Sequence, residues 1–110
     1  MQINLKGTKI KLTKEIKNYA QEKMDMLEKY LGKIPVINCK VEVGMIVGGQ
    51  NNGDIYSAEI NLSVPHELLR IEKTANDLYK AIDKAKDHMA RSIEKYKEKR
   101  IDKKRKIVEM

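Results

Sequence analysis

Lys80, Lys84, His88, Arg91, Lys95 and Lys99 follow one another at intervals of three or four residues, the spacing that lines side chains along one side of an α-helix. Such a row makes and breaks no covalent bonds. It offers a field instead: cations in register attract a polyanion, and phosphate oxygens accept hydrogen bonds from ammonium and guanidinium groups. The row sits in a biased part of the chain. Residues 73–110 hold 13 Lys and Arg against 7 Asp and Glu, six of the seven net positive charges of the 110-residue sequence. Residues 1–72 are almost neutral. The partners that this bias addresses are RNA, DNA and anionic membrane.

Residue types that carry catalysis are few and poorly spaced for it. His66 in a turn and His88 in the basic row share no metal-ligand spacing with Cys39. Cys39 alternates in phase with Val41 and Val43, the place of a small buried side chain rather than a nucleophile. Asp77 and Asp83, six residues apart, point in different directions on a helix, and Asp77 suits the positive end of a helix dipole. GGQNNG at 48–53 lacks the Lys-Ser/Thr of a phosphate-binding loop and reads as a hairpin turn. No catalytic residue, metal or cofactor is expected, and no small-molecule substrate.

A single cysteine excludes an internal disulfide framework and fits a reducing compartment. The N-terminus lacks the apolar region of a secretory signal, and nowhere do 18 consecutive apolar residues occur. A cytoplasmic protein with no membrane partner is therefore expected.

The elements that must position the basic row can be read from hydrophobic period. With 41% hydrophobic residues but no Trp or Phe, the core has to come from Ile, Leu, Val, Ala and Met with a few Tyr. Ile3 and Leu5 alternate with Gln2, Asn4 and Lys6, a half-buried strand over 2–7. Thr13 then offers a cap, and Ile16, Ala20, Met24, Leu27 and Leu31 recur at helical spacing up to Gly32 and Pro35, predicting a helix over 14–31. Ile37, Cys39, Val41, Val43, Met45 and Val47 share one face of a strand over 36–47. After GGQNNGD, Tyr56, Ala58, Ile60, Leu62 and Val64 alternate in a second strand, so the two form a hairpin. Pro65 and His66 break the chain before a short strand over 68–71, and Thr74 offers a cap for the last helix, which runs to about Lys99.

The order β-α-β-β-β-α predicts an α+β two-layer sandwich, a four-stranded sheet covered on one face by two helices. One domain over 1–100 is expected, followed by a basic tail, 101–110, that loses the apolar period and frays from the helix.

In the last helix Leu78, Ala81, Ile82, Ala85, Met89, Ile93 and Tyr96 fall in one buried arc. The basic row lies roughly 60 to 160° to one side of its centre. Lys86, Lys97 and Arg100 occupy the other flank, and Asp83, Asp87, Glu94 and Glu98 the solvent side. A solvated, ion-paired face is the bland alternative, because Lys80–Asp83, Lys84–Asp87, Arg91–Glu94 and Lys95–Glu98 all have i,i+3 spacing. Against it, four successive i,i+4 steps, from Lys80 to His88 and from Arg91 to Lys99, join like or potentially like charges. That repeated cost points to a polyanion on this face. With few free aromatic rings for stacking, recognition by shape and phosphate is expected.

The stretch NDLYKAIDKAKDHMARSIEKYKEK, residues 76–99, resembles the C-terminal helix of the ribosome hibernation promoting factors, also called ribosome-associated inhibitor or sigma-54 modulation proteins. Asp77, Leu78, Tyr79, Ala81, Ile82, Asp83, Arg91, Lys95 and Lys97 carry the likeness, as do Glu22, Lys23, Leu27, Glu28, Lys29 and Tyr30 in the first helix. The resemblance covers residues 1 to about 100 and implies binding to the small ribosomal subunit and its rRNA. It further implies occupation of the decoding channel, blocking messenger and transfer RNA without chemistry. Carried over by motif, the RNA contacts fall on Lys23, Lys29, Lys84, Arg91, Lys95 and Lys97. His88 and Ser92 stand where family members often have Lys and Gln, Met26 replaces a frequent Lys, and Lys80 adds charge at a usual Ala. Long members add a linker and a second domain that pairs ribosomes, so a chain ending at Met110 matches either a short form or a truncated long one. The alternatives are a double-stranded RNA-binding domain, whose α-β-β-β-α order is embedded here, and a protein-interaction regulator of a sigma factor.

Overall fold

The computed structural model describes the backbone of residues 1–46, 53 and 55–109, and the side chains of this set up to Arg100. Its elements are β1 (Asn4–Thr8), α1 (Lys14–Asp25), α2 (Glu28–Leu31), β2 (Asn38–Ile46), β3 (Ile55–Val64), β4 (Glu67–Ala75) and α3 (Leu78–Glu109). The strands lie side by side in chain order. β1 runs parallel to β2, with α1 in the crossover, while β2–β3 and β3–β4 are antiparallel. The sheet is thus mixed, and the architecture is the α+β two-layer sandwich read from the sequence.

Thr13 starts α1 as expected: its backbone is extended, and its Oγ1 accepts the Ile16 N–H at 3.2 Å. Ala20, Met24, Leu27 and Leu31 are buried. The single helix expected over 14–31 is nevertheless two. Leu27 N–H donates to the Met24 carbonyl and Tyr30 N–H to that of Leu27, each at 3.0 Å, so the ladder tightens to i→i−3 between Asp25 and Glu28. Because the same apolar residues stay buried across this break, the hydrophobic period runs through it. Gly32, at φ 59°, ends α2 in a region that a Cβ disfavours.

The antiparallel register sets Cys39, Val41 and Val43 opposite Leu62, Ile60 and Ala58, and Leu69 and Ile71 continue two of these rows into β4. All but Ile71 are fully shielded or nearly so. Gly44 faces Thr8 across the parallel pair, where a Cβ would meet the Thr8 carbonyl oxygen at 2.6 Å. Ile37, expected on the core face, precedes β2 and is 68% exposed. Val47 and most of the GGQNNGD turn lie outside the described residues.

β4 is longer than the strand expected over 68–71, because β3 supplies partners as far as Tyr56 opposite Ala75. Thr74 pairs with Ser57 and so cannot cap the helix. Asp77 takes that role, its Oδ1 accepting the Lys80 N–H at 3.1 Å. The expected stripe of α3, from Leu78 to Tyr96, is buried against β3 and β4. Truncating a fully enclosed member such as Ile93 to Ala would cost about 2–5 kcal/mol. Tyr96 clasps the β3–β4 turn, its hydroxyl donating to the Pro65 carbonyl at 2.7 Å. The α3 backbone stays helical through Glu109, beyond the point near Arg100 where the sequence reading ends the helix.

Candidate nucleic-acid interface

α3 lies over β3 and β4, and α1 lies along its other side. The two flanks of α3 therefore meet different neighbours. Toward β4 the helix presents Lys84, His88, Arg91, Lys95 and Lys99, and the strand adds Lys73 beside His88. Lys84 Nζ makes a long contact of 3.4 Å to the Thr74 carbonyl, and Lys99 Nζ approaches Glu67 at 3.9 Å. None of the four i,i+3 pairs open to the sequence forms. Among the described residues, Lys80, Lys84, Arg91 and Lys95 are exposed and have no carboxylate oxygen within 4.0 Å. Partial burial, then the Lys73 and Arg91 cations, hold the His88 imidazole below its ordinary pKa, with Asp87 opposing.

The other flank is knitted to its surroundings. Asp83, expected to face solvent, receives the Tyr19 hydroxyl at 2.7 Å and Lys23 Nζ at 3.4 Å, both from α1. Tyr79 meets the Tyr19 ring edge-on, with centroids 4.8 Å apart. Lys86 pairs with Asp87 at 2.7 Å, Lys97 with Glu94 at 3.9 Å, and Arg100 both stacks on Tyr96 and donates to its hydroxyl. The nine side chains selected from sequence are accordingly not one cluster. Lys84, His88, Arg91, Lys95 and Lys99 form a line, Lys80 stands exposed near the start of the helix, and Lys23 and Lys97 lie in ion pairs. Lys29 is on α2, exposed, with Nζ 5.1 Å from the centroid of Tyr30.

Lys73 is not among the residues selected from sequence, and Asp83 is assigned there to the solvent side rather than to partners on α1. The alternation Leu69, Ile71, Lys73 would have carried Lys73 onto the helix-covered side had β4 been extended. Nothing local marks Asp83, whose partners lie 64 residues away at Tyr19 and on the next turn of α1.

The uncovered face of the sheet differs in kind. Register places Lys6, Glu42, Glu59 and Glu72 in one row and Asn4, Lys40, Asn61 and Arg70 in the next, three cations against three carboxylates. Some of these groups bond one another: Glu59 accepts from Asn61 at 2.7 Å and from Arg70 at 3.2 Å, and Glu42 from the Thr8 hydroxyl at 3.0 Å. Lys6 and Lys40 are exposed and, among the described residues, have no carboxylate oxygen within 4.0 Å. Hydrogen bonding to Glu59 raises the Glu72 carboxyl, whereas Asn61 is the main cause lowering that of Glu59. With cations and carboxylates interleaved in equal number, this face has no net field to draw a polyanion.

Burial pushes the Cys39 thiol up to about 11, so it is inert at neutral pH. Among the described residues no group of three His, Cys, Asp or Glu side chains is placed to hold a metal. A cleft of about 500 Å3 is lined by residues such as Met1, Asn4, Glu28, Leu31 and Asn38, away from the basic line. No described helix is long and apolar enough to cross a membrane.

Known proteins resemble the chain in sequence and in fold. The chain is 33% identical over 98 residues to the ribosome hibernation promotion factor of Deinococcus radiodurans, covering 88% of the chain and 50% of that protein. It is 30% identical over 112 residues to the factor of the same name from Picosynechococcus, covering 99% and 55%. The chain thus spans about half the length of these curated relatives. Among solved structures, the Protein Y N-terminal domain of Thermus thermophilus superposes with a TM-score of 0.74 at 29% identity, covering 87% of this chain and 99% of that one. A ribosomal subunit interface protein from Coxiella burnetii shares the fold at a TM-score of 0.74 and 15% identity, covering 88% and 98%. The family model described as Sigma 54 modulation protein / S30EA ribosomal protein matches residues 3–101, from before β1 to past the basic line of α3, and the chain belongs to that family.

Proposed function

We propose that the protein silences translation by binding the small ribosomal subunit through rRNA phosphates and lying in the decoding channel, where it excludes messenger and transfer RNA. The observation that carries this reading is that Lys84, Arg91 and Lys95 of the α3 line are exposed and, among the described residues, have no carboxylate oxygen within 4.0 Å. A cation free of carboxylates gains its whole interaction from phosphate, whereas a paired one such as Lys23 must share it with its partner. Cations left in register release the counterions of an RNA backbone and bind it with strong salt dependence. The names of the relatives agree with a ribosomal partner in the cytoplasm. The mechanism is occlusion, with the α+β unit over 1–100 as the ribosome-binding part, and needs no bond-making group.

Five neutralised phosphates correspond to a slope of log affinity against log salt of roughly −3.5 to −4.5. The test is co-sedimentation of the purified protein with small subunits over a salt series, with labelled transfer RNA as competitor. Salt-dependent binding that displaces transfer RNA is expected. Absence of binding at low salt, or binding indifferent to salt and to transfer RNA, would overturn the reading.

A further inference from the structure

An acid in the helical layer of a polyanion-binding protein is a puzzle on charge alone. Asp83 sits where α1 meets α3, and a carboxylate there repels phosphate. Its surroundings supply a reason for it. The Tyr19 hydroxyl donates to Asp83 Oδ1 at 2.7 Å, and Lys23 Nζ lies 3.4 Å from the same oxygen. The Lys23 ammonium is also 5.1 Å from the centroid of the Tyr19 ring, and Tyr79 closes on that ring at an interplanar angle of 87°. A long, flexible side chain is thereby held by a carboxylate, an aromatic face and the backbone of its own helix.

We propose that Asp83 is a positioning residue for phosphate binding: anchored to Tyr19, it holds the Lys23 ammonium in the groove between α1 and α3, ready for an RNA phosphate. This inference rests on the reading of the helical layer as an RNA-binding surface. Rotamer freedom that Lys23 would lose on contact is already lost in the free protein, which favours binding. The Lys23 side chain is 20% exposed and that of Asp83 42%, so the ammonium stays reachable while its position is constrained. Burial, and then the bond to Asp83, push the Tyr19 hydroxyl up to about 12. Tyr19 therefore remains a donor throughout the physiological range, and the anchor does not loosen with pH.

The opposing expectation is simple neutralisation, in which Asp83 masks Lys23 and its removal tightens binding. The two are separated by a double-mutant cycle read as affinity for purified small subunits. Asp83→Asn keeps an acceptor for Tyr19 and drops the charge that holds Lys23. It is expected to weaken binding about threefold to tenfold, and to have no further effect in a Lys23→Gln background. Asp83→Glu is expected to restore most of the affinity. A purely structural role would cost affinity equally in both backgrounds. Should Asp83→Asn fail to fold, Tyr19→Phe removes the anchor alone and should show the same dependence on Lys23. Asp83→Asn binding as tightly as the parent or tighter, or a loss undiminished by Lys23→Gln, would overturn the proposal while leaving ribosome binding standing. A parent protein that fails to bind small subunits would end both.

Discussion

The two flanks of α3 carry similar side chains and do different things with them. Toward α1, Lys86, Lys97 and Arg100 are each engaged by a carboxylate or a tyrosine, and α1 contributes Lys23 to Asp83. Toward β4, Lys84, Arg91 and Lys95 lie along the helix with no carboxylate in reach. A positive count therefore says little about where a polyanion binds. What matters is how each charge is held: a lone exposed cation on the β4 side offers its full charge to an incoming phosphate, whereas on the α1 side only Lys23, set in place by Asp83, is proposed to reach one.

The sharpest way to break this comparison is to reverse charge on each flank in turn. Arg91→Glu with Lys95→Glu should weaken small-subunit binding about 100-fold or more at ~0.1 M salt, with the melting temperature within about 2 °C of the parent. Lys86→Glu with Lys97→Glu should cost at least about tenfold less affinity than that pair, because these cations are already engaged. Equal losses from the two double variants would erase the distinction. Next in size is Tyr96→Phe. Losing the bonds to Pro65 and Arg100 should cost about 1–2 kcal/mol, seen as a melting temperature roughly 5 to 10 °C lower, with affinity at 25 °C unchanged.

Two smaller effects sharpen the comparison from the β4 side. Lys84→Ala should reduce the salt slope by about one, reporting a single phosphate contact, without a comparable change in stability. His88 should make binding pH-dependent. In the free protein its pKa is lowered, so it is neutral at pH 7, and a phosphate alongside would raise it, so the complex takes up a proton. Affinity should therefore rise as pH falls from 7.5 to 6, by about twofold to threefold, and His88→Gln should flatten the profile. A profile unchanged by that substitution would remove His88 from the contact surface.

Legibility in the sequence followed a physical line. Most of what depended on period was readable: the alternation of Cys39, Val41 and Val43, though not Ile37 before the strand begins, and the stripe from Leu78 to Tyr96, are buried where their spacing puts them. Whatever depended on distant partners was not. Thr74 and Asp77 both have capping chemistry, and the pairing of Thr74 with Ser57 removes the first from that role. The break between α1 and α2 leaves the apolar period intact, so no pattern reports it. The basic line itself was legible because it is local to one helix. Which of its members lack partners was not, since Glu67 and Thr74 come from another element.

The parallel pairing of β1 with β2 has a consequence for how the chain assembles. From Asn38 to Tyr96 the molecule is built by neighbours in sequence, two hairpins and then a helix folded back upon them. β1 alone must wait, because Asn4 has no partner until Lys40 has been made and α1 has turned the chain back. It also holds an edge of the sheet through five residues. Its amides should therefore exchange with solvent sooner than those of the central strand β3. The strand with the most distant partner in sequence is also the one expected to open first.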